Sequence, residues 1–310
     1  MYGSTPKEDK ELKWARIGYR LVLTTLTHPI EYAKFLIQIG YEPLPPRPTK
    51  TLFGRPALAL PNVFGYISYI KSVDGTAGYF RGLSAKLCAN IVNGVTFESV
   101  KESIRFESDI KSLIDEEDVD PEVERRHKFA KDFMKELAGR TAAVITSHPF
   151  QVIAGRMMAE FIGGEHKYSS FIDAVKEIYR LSGISGFYAG IIPRLIGDLL
   201  AVCIITSCTY LIHVHCTDDK EIRNYCNVLV GFFASSFTYP FHVVSNCMTV
   251  TASGLKAGSP PYMPEYKSWL NCWRHLKSTN QIKRGSTLFW RYYTGPFNVV
   301  AGVPVMLPQS

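Results

Sequence analysis

The nine-residue stretches THPIEYAKF (27–35), SHPFQVIAG (147–155) and TYPFHVVSN (238–246) decide the fold of this 310-residue chain. Each has a hydroxyl residue two positions before a proline and an apolar residue directly after it. A proline inside a helix of a water-soluble protein costs about 3 kcal/mol, whereas membrane helices tolerate it through neighbouring polar groups. Three similar prolines, each in the middle of a long apolar segment, therefore indicate an internal repeat of membrane helices.

Five segments are long enough to span a bilayer, which requires roughly 20 mostly apolar residues. The most apolar are Ile17–Ile39, Pro193–Val214 and Asn227–Val250, whereas Leu137–Ile162 and Ser84–Phe106 carry more polar groups. A soluble helix would show a continuous polar stripe, but these segments place single polar residues among apolar ones. The sequence predicts five spans, and a soluble helical protein is the alternative.

The rest of the repeat is a surface helix and a joint. Short amphipathic segments begin at Pro61, Tyr168 and Tyr266, and Gly-aromatic joints (78–83 and 186–191) lead into the next span. We predict one all-α, three-fold pseudo-symmetric membrane domain over 1–310, with five spans, three amphipathic surface helices and no sixth span. Its parts are repeat one at 14–106, a charged loop at 107–132, repeat two at 133–216, an incomplete repeat three at 222–293 and a short non-spanning tail at 294–310.

Composition excludes several classes of protein. The chain is 46% hydrophobic and 20% charged, which rules out a collagen, a small disulfide scaffold and a mostly disordered chain. Its net charge is +7, although seven acidic residues fall within 115–124 alone. The basic residues are spread among span ends and loops, a distribution suited to lipid head groups and not to nucleic acid. No phosphate-binding, zinc-protease or nucleophile-elbow motif occurs, so neither an enzyme nor a cofactor is expected.

Two further clusters have simple structural interpretations. His213, His215, Cys216, Asp218 and Asp219 crowd the end of the fourth span, but residues 213 and 215 point to different faces of a helix, so no metal site is expected. The proline-rich stretch 43–48 is interpreted as a stiff spacer, with a ligand for an aromatic groove as the alternative. The seven cysteines form no C-x-x-C pair, which favours a disulfide-poor setting.

Three tandem units with a kinked odd helix and a Gly-aromatic joint resemble the mitochondrial carrier family. The closer resemblance is to the mitochondrial carrier homologues of the outer membrane, through IQIGYEPLPP (37–46), YAGIIPRLIGD (188–198) and GFFASSFTYPF (231–241). Members of that group resemble carriers that have lost the last helix. The resemblance implies insertion of α-helical proteins into the mitochondrial outer membrane, lipid scrambling, and docking of a pro-apoptotic Bcl-type protein.

The charged gates that the carrier family implies are incomplete. Only repeat one keeps an acid and a base after its proline, Glu31 and Lys34, while Gln151 and His242 stand in the acidic position of the other two repeats. On the even helices, Phe97–Lys101 fits the second gate motif. Because breaking a buried ion pair costs about 3 to 5 kcal/mol, a ring reduced in this way is not expected to alternate between sealed states.

The remaining polar residues are expected to line a groove that opens sideways to lipid. An ionisable side chain at membrane depth costs about 2.5 kcal/mol or more unless it faces water or a partner. The predicted groove residues are Glu31, Lys34, Arg140, Gln151, Arg156, Arg194, Asp198, His242 and Asn246. The family resemblance carries over four of them, Lys34, Arg156, Asp198 and Asn246. Structural alternatives stay open for these four: an ion pair with Glu31 or Arg194, extension of a long side chain to the membrane surface, and a hydrogen bond to a neighbouring helix.

The function expected from the groove and the resemblance is insertion of tail-anchored and similar helical proteins into the mitochondrial outer membrane by a multi-pass protein. Its partners would be nascent α-helical membrane proteins and membrane lipids, with a pro-apoptotic Bcl-type protein as a further candidate. Lipid scrambling through the same path is an additional expectation. The alternatives are a solute carrier and a docking receptor or scaffold.

Overall fold

The computed structural model describes residues 6–51, 53–112, 121–215, 220–293, 295, 297–300 and 303–306. Eight α-helices occur within these ranges, in chain order α1 (Pro6–Ile39), α2 (Val63–Asp74), α3 (Leu83–Ser112), α4 (Pro121–Gly163), α5 (Phe171–Ser182), α6 (Ile191–His215), α7 (Lys220–Val250) and α8 (Trp269–Ser278). Helices α1, α3, α4, α6 and α7 have 25 to 43 residues, and α2, α5 and α8 have 10 or 12. The order of long and short helices is the one that the repeat predicts.

The three prolines of the repeat lie inside long helices. Pro29 falls within α1, Pro149 within α4 and Pro240 within α7, and each helix continues for 10 to 14 residues beyond its proline. A proline removes one helical hydrogen bond, so continuation through three of them requires support from neighbouring groups. The prediction that these prolines are interior to helices is confirmed.

The three short helices begin and pack alike. The side chains of Asn62, Ser170 and Ser268 each accept a hydrogen bond from the backbone N–H three residues later, which caps the helix. Each helix buries an i, i+4 pair on one face: Tyr66 and Ile70, Ala174 and Ile178, Cys272 and Leu276. Because such a pair repeats once per helical turn, the sequence pattern fixes which side of each short helix is covered.

Glycines at the first two joints permit a close approach of helices. Gly82 and Gly190 have φ values of +77° and +78°. A Cβ atom at these positions would lie 2.9 Å from the carbonyl oxygen of Ala154 and 2.5 Å from that of Ser245, respectively. Both the backbone conformation and the lack of space therefore require glycine here.

The predicted charged loop at 107–132 is mostly helix. Helix α3 continues to Ser112 and α4 begins at Pro121, so only residues 113–120 of that segment lie outside the described ranges. Proline suits the first position of a helix, and Glu122 follows in the first turn, where a carboxylate complements the helix dipole. The Glu122 carboxylate also lies 2.6 Å from the Arg126 guanidinium one turn later. These local helix-favouring features account for helix in a segment from whose high charge a loop was predicted.

The link between α1 and α2 adds a β-hairpin to the mostly helical fold, and the hairpin includes residues 47 and 48 of the proline-rich stretch that was predicted to be a spacer. Strands β1 (Arg47–Lys50) and β2 (Pro56–Ala59) form an antiparallel hairpin with Arg47 opposite Ala59. Both strands of a two-stranded ribbon are edge strands, which accept proline at positions that donate no hydrogen bond. Pro48 and Pro56 therefore lie in extended strands that pair with each other.

The described part of the predicted tail forms a second hairpin, β3 (Phe297–Val300) and β4 (Val303–Met306). Strand β4 contacts both β1 and β2. Just before β3, Tyr293 N–H donates to the Leu58 carbonyl at 2.8 Å, and Leu60 N–H donates to the Arg291 carbonyl at 2.9 Å. The described residues after α8 thus return to the link that follows α1 and contain no α-helix.

The described residues divide into two compact units, whereas one domain was predicted. Unit 1 comprises those of Met1–Leu21, Leu87–Gln151 and Ile191–His242, and unit 2 those of Val22–Lys86, Val152–Gly190 and Val243–Ser310. Buried side chains of unit 1 are mostly small, as in Ala89, Ala143 and Ala234, which lets helix backbones approach closely. Unit 2 buries large ones and holds all three short helices. Both units draw on every repeat, because α1, α4 and α7 each contribute to both.

Two described segments, Phe171–Ile212 and Tyr225–Val250, are long and apolar enough to cross a membrane. In α7, the side chains of Val228, Leu229, Phe232, Phe233 and Phe237 are between 57% and 72% exposed. Such a contiguous apolar surface is unfavourable in water and suits contact with lipid.

Candidate functional site

The nine predicted groove residues are divided between the units. Arg140, Gln151, Arg194, Asp198 and His242 belong to unit 1, and Glu31, Lys34, Arg156 and Asn246 belong to unit 2.

In unit 1, three of the predicted residues meet in one polar cluster. Arg194 Nε lies 3.0 Å from Asp198 Oδ2, and His242 Nε2 lies 3.8 Å from Asp198 Oδ1. Their side chains are 28%, 18% and 28% exposed. Gly197 brings α6 against α7, since a Cβ there would lie 2.9 Å from the Cβ of Phe241. The cluster therefore places a carboxylate between two basic side chains within helices that are otherwise largely apolar.

Unit 1 also contains an open cavity of about 550 Å³ between α3, α4 and α6. Arg140 is the one predicted groove residue in its wall, and the Arg140 guanidinium lies 5.5 Å from the Phe97 ring centre. Lys101, from the predicted second gate motif, forms an ion pair with Glu136 at 2.9 Å. The sequence analysis missed this cavity because its walls come from three helices that are distant along the chain.

In unit 2, the surviving acid of the first gate has a partner on another helix. Glu31 Oε2 lies 3.5 Å from Lys86 Nζ, and their side chains are 43% and 26% exposed. Thr27, one turn before Glu31, also lies within hydrogen-bonding distance of the Glu31 carboxylate at 3.3 Å. Lys34 is half-buried on the same helix. Glu31 is thus linked to the beginning of α3, a contact that the gate motif does not predict.

Arg156 corrects the groove prediction, because it is the largest fully buried side chain and is only 1% exposed. Its Nε donates to the Thr249 carbonyl at 3.1 Å, and its Nη1 donates to the Tyr168 hydroxyl at 3.5 Å. Carbonyls in the last turn of a helix lack an intrahelical partner and carry partial negative charge, so the end of α7 attracts this cation. Burial raises the pKa of Tyr168, and the neighbouring guanidinium opposes that rise. Arg156 is therefore enclosed by its own unit and does not line an open groove.

Asn246 forms a hydrogen bond to a neighbouring helix, which is the structural alternative to a groove role. Its side-chain N–H donates to Gln38 Oε1 at 2.7 Å, which joins α7 to α1 within unit 2. The Gln38 carbonyl in turn accepts from Arg284 Nε at 2.5 Å. Asn246 is half-buried, so its first role in this unit is to hold two helices together.

Two further arginines are central to unit 2 and were not predicted as functional. Arg81 lies 2.6 Å from Asp74 and 3.5 Å from the buried Glu160, and Arg291 forms an ion pair with Glu42. Burial raises the pKa of Tyr66, whose ring faces Arg291. The sequence did offer one indication of these two arginines: each follows two aromatic residues at the corresponding joint of repeats one and three.

The His, Cys and Asp cluster at the end of the fourth span, where no metal site was expected, is only partly covered by the structure. His213 and His215 lie in the last turn of α6, whereas Cys216, Asp218 and Asp219 lie outside the described residues.

Comparison with known proteins agrees with the repeat architecture. The sequence profile of the family described as mitochondrial carrier protein matches residues 125–219. Mitochondrial carrier homolog 2 from Homo sapiens is 41% identical over 275 residues, which covers 87% of this chain and 90% of the relative. Mitochondrial carrier homolog 1 from Mus musculus is 34% identical over 87% of this chain and 74% of its own length. Solute carrier family 25 member 36-A from Danio rerio is 26% identical over 50% of this chain and 48% of its own length. The chain belongs to the mitochondrial carrier family, among its mitochondrial carrier homologues.

Proposed function

We propose that this protein inserts α-helical membrane proteins, tail-anchored ones among them, into the mitochondrial outer membrane. The five long helices would cross the bilayer and α2, α5 and α8 would lie at its surface. The identity to mitochondrial carrier homologues and the exposed apolar face of α7 support a membrane location. The outer membrane is proposed from the family resemblance.

The observation that carries this proposal is the partly exposed cluster of Arg194, Asp198 and His242. A charged group in an apolar segment is costly unless a partner or water compensates it. Here the carboxylate has a guanidinium partner and keeps 18% of its surface accessible. Such a cluster can exchange hydrogen bonds with the polar flank of an entering helix while the apolar stretch of that helix faces lipid. Stabilising the polar flank during transfer lowers the barrier to insertion, and no covalent step is involved.

Solute transport is less well supported, because a carrier gate requires matched charges in all three repeats. Repeat two has Gln151 in its acidic position and repeat three has His242. Glu31, the remaining acid, has its described ion pair with Lys86 at the start of α3. A docking receptor for a Bcl-type protein has no specific observation in its favour.

Reconstitution into liposomes tests the proposal. The purified chain is incorporated into phospholipid vesicles, a tail-anchored substrate is added, and the protease-protected fraction is measured over time. We expect insertion above protein-free vesicles, and an initial rate about tenfold lower for Asp198→Asn, since about 1.4 kcal/mol in barrier height corresponds to a tenfold rate. Glu122→Gln removes an exposed carboxylate of α4 and serves as the matched control with an unchanged rate.

Three results would contradict the proposal. These are no insertion above protein-free vesicles, saturable exchange of a solute without insertion, and binding of the substrate that leaves it fully sensitive to protease. The second result would favour a solute carrier and the third a docking receptor. Equal rates for Asp198→Asn and Glu122→Gln would remove the Asp198 cluster from the mechanism.

A further inference from the structure

The cavity between α3, α4 and α6 has a charged wall and an apolar wall. Its lining residues are Lys101, Arg125, Lys128, Phe129, Asp132, Lys135, Glu136, Arg140, Val202, Ile205, Thr206, Thr209, Tyr210 and Val214. The α4 members recur every three or four positions, so they share one face of that helix over about 22 Å. The cavity takes no part in the insertion mechanism proposed above.

The charged wall attracts anions. Five of the lining residues are basic and two are acidic, and one acid, Glu136, is already paired with Lys101 at 2.9 Å. Arg125 and Lys128 are exposed, so their charges are available to a ligand in the cavity. Several cations converging on one cavity, with fewer anions, favour a phosphate group.

The facing wall is built by α6 and is mainly apolar. Val202, Ile205 and Val214 line it, and the rings of Tyr210 and Phe129, which also line the cavity, are in direct contact with their centres 4.1 Å apart. A soluble phosphate compound would leave this wall without a matching surface. An acyl chain would cover it, and the burial of its apolar groups would add to the affinity.

The depth of the cavity relative to the predicted spans indicates a lipid. Its exposed α4 cations, Arg125 and Lys128, precede the predicted span Leu137–Ile162, whereas the α6 wall lies within the predicted span Pro193–Val214. Because Phe129 contacts Tyr210 near the end of the α6 span, the exposed cations lie at the edge of the hydrocarbon core, and the α6 wall continues from that level into it. Basic pockets at this level of a membrane protein suit anionic head groups.

We propose that this cavity binds an anionic phospholipid, with its phosphate at the α4 cations and an acyl chain along α6. The site is separate from the cluster on which the proposed insertion mechanism rests, because neither Asp198 nor its partners line it. An anionic lipid bound here would neutralise the excess positive charge of α4 and join α4 to α6.

The test measures lipid selectivity of the full chain. Spin-labelled phosphatidic acid and phosphatidylcholine are compared as protein-bound lipids in phosphatidylcholine vesicles. Arg125→Gln/Lys128→Gln removes two charges from the cavity, and Arg126→Gln/Lys131→Gln removes two exposed charges from α4 residues that do not line it. We expect the wild type to prefer phosphatidic acid by about tenfold, the cavity variant to lose most of this preference, and the control variant to keep it.

Competition with soluble compounds identifies the source of the phosphate. Glycerol 3-phosphate carries the same head group without acyl chains, and inorganic phosphate is the simplest anion. We expect neither to displace the spin-labelled lipid at millimolar concentration. Complete displacement of the spin-labelled lipid by either compound would overturn the assignment of a lipid to this cavity. Equal loss of the preference for phosphatidic acid in both double variants would show that the preference comes from general surface charge. Unchanged selectivity in the cavity variant would overturn the site. Client insertion is measured in a separate assay, so a failure of the lipid site can be told apart from a failure of the proposed insertion function.

Discussion

Arg291 is expected to hold the segment that follows α8 against the first repeat. Its guanidinium forms an ion pair with Glu42, donates to the Pro61 carbonyl at 2.8 Å and lies 5.4 Å from the centre of the Tyr66 ring. Arg291 is only 7% exposed, and its own carbonyl accepts a hydrogen bond from Leu60 N–H. Three side-chain contacts and one backbone hydrogen bond therefore meet at Arg291, at the place where a carrier would continue into its last helix.

The substitution Arg291→Leu removes the charge while keeping apolar volume. Truncating one partner of a buried ion pair costs about 3 to 5 kcal/mol. The Glu42 side chain is 30% exposed and also accepts a hydrogen bond from the Tyr66 hydroxyl, so the lower end of that range applies. We expect local opening of this segment to become easier by about 3 kcal/mol, which corresponds to about 150-fold faster exchange of the amides that it protects.

Hydrogen exchange measured by mass spectrometry on the full chain in detergent micelles checks this value. The informative peptides cover 57–64 and 286–293, where the amides of Leu60 and Tyr293 are hydrogen-bonded between the two segments. Arg274→Leu, at an exposed position of α8, is the matched control and should leave both peptides unchanged. Exchange in Arg291→Leu within about threefold of the wild type would refute the clamp, since the contacts would then contribute little.

Three further outcomes follow from local geometry. Gly190→Ala should lower the thermal unfolding temperature clearly more than Gly164→Ala. Both glycines have positive φ, but only a Cβ at position 190 would meet a backbone carbonyl oxygen, at 2.5 Å. Equal shifts in unfolding temperature would contradict this reason. Ser170→Ala removes the cap of α5 and should cost about 1 kcal/mol in chemical denaturation, and a change below measurement error would show that the cap is replaced by water. A hydrogen bond with Cys247 and burial raise the pKa of the Cys272 thiol. This thiol should therefore react with maleimide at pH 7 only after the chain unfolds, which peptide mass spectrometry detects. Labelling of Cys272 in the folded chain would contradict its burial.

The helical repeat was predictable because its signals are local. Prolines 29, 149 and 240 marked three of the five long helices, and amphipathic segments beginning at Pro61, Tyr168 and Tyr266 marked the short ones. The beginning of α4 and the β1–β2 hairpin were predicted wrongly. High charge was interpreted as a loop and proline content as a stiff spacer, whereas α4 begins at Pro121 and β1 pairs with β2.

The candidate site was predictable only in part. The sequence identified polar residues in apolar helices, and the i, i+4 spacing of Arg194 and Asp198 already allowed their ion pair. It did not distinguish the partly exposed Asp198 cluster from the buried Arg156, because charged residues in apolar segments look alike in the sequence whether or not they are covered. Exposure depends on which other helices cover a face, and no local pattern reports that.

By itself, the sequence determined the order of long and short helices and the family to which the chain belongs, because both follow from residue types at fixed spacing. Only the tertiary structure decided which charges meet: Glu31 with Lys86, Arg156 with the end of α7, and Arg291 with Glu42 across 249 positions of sequence. The physical reason is that helical periodicity gives the direction of a side chain, whereas the identity of its partner depends on how distant segments pack against that face.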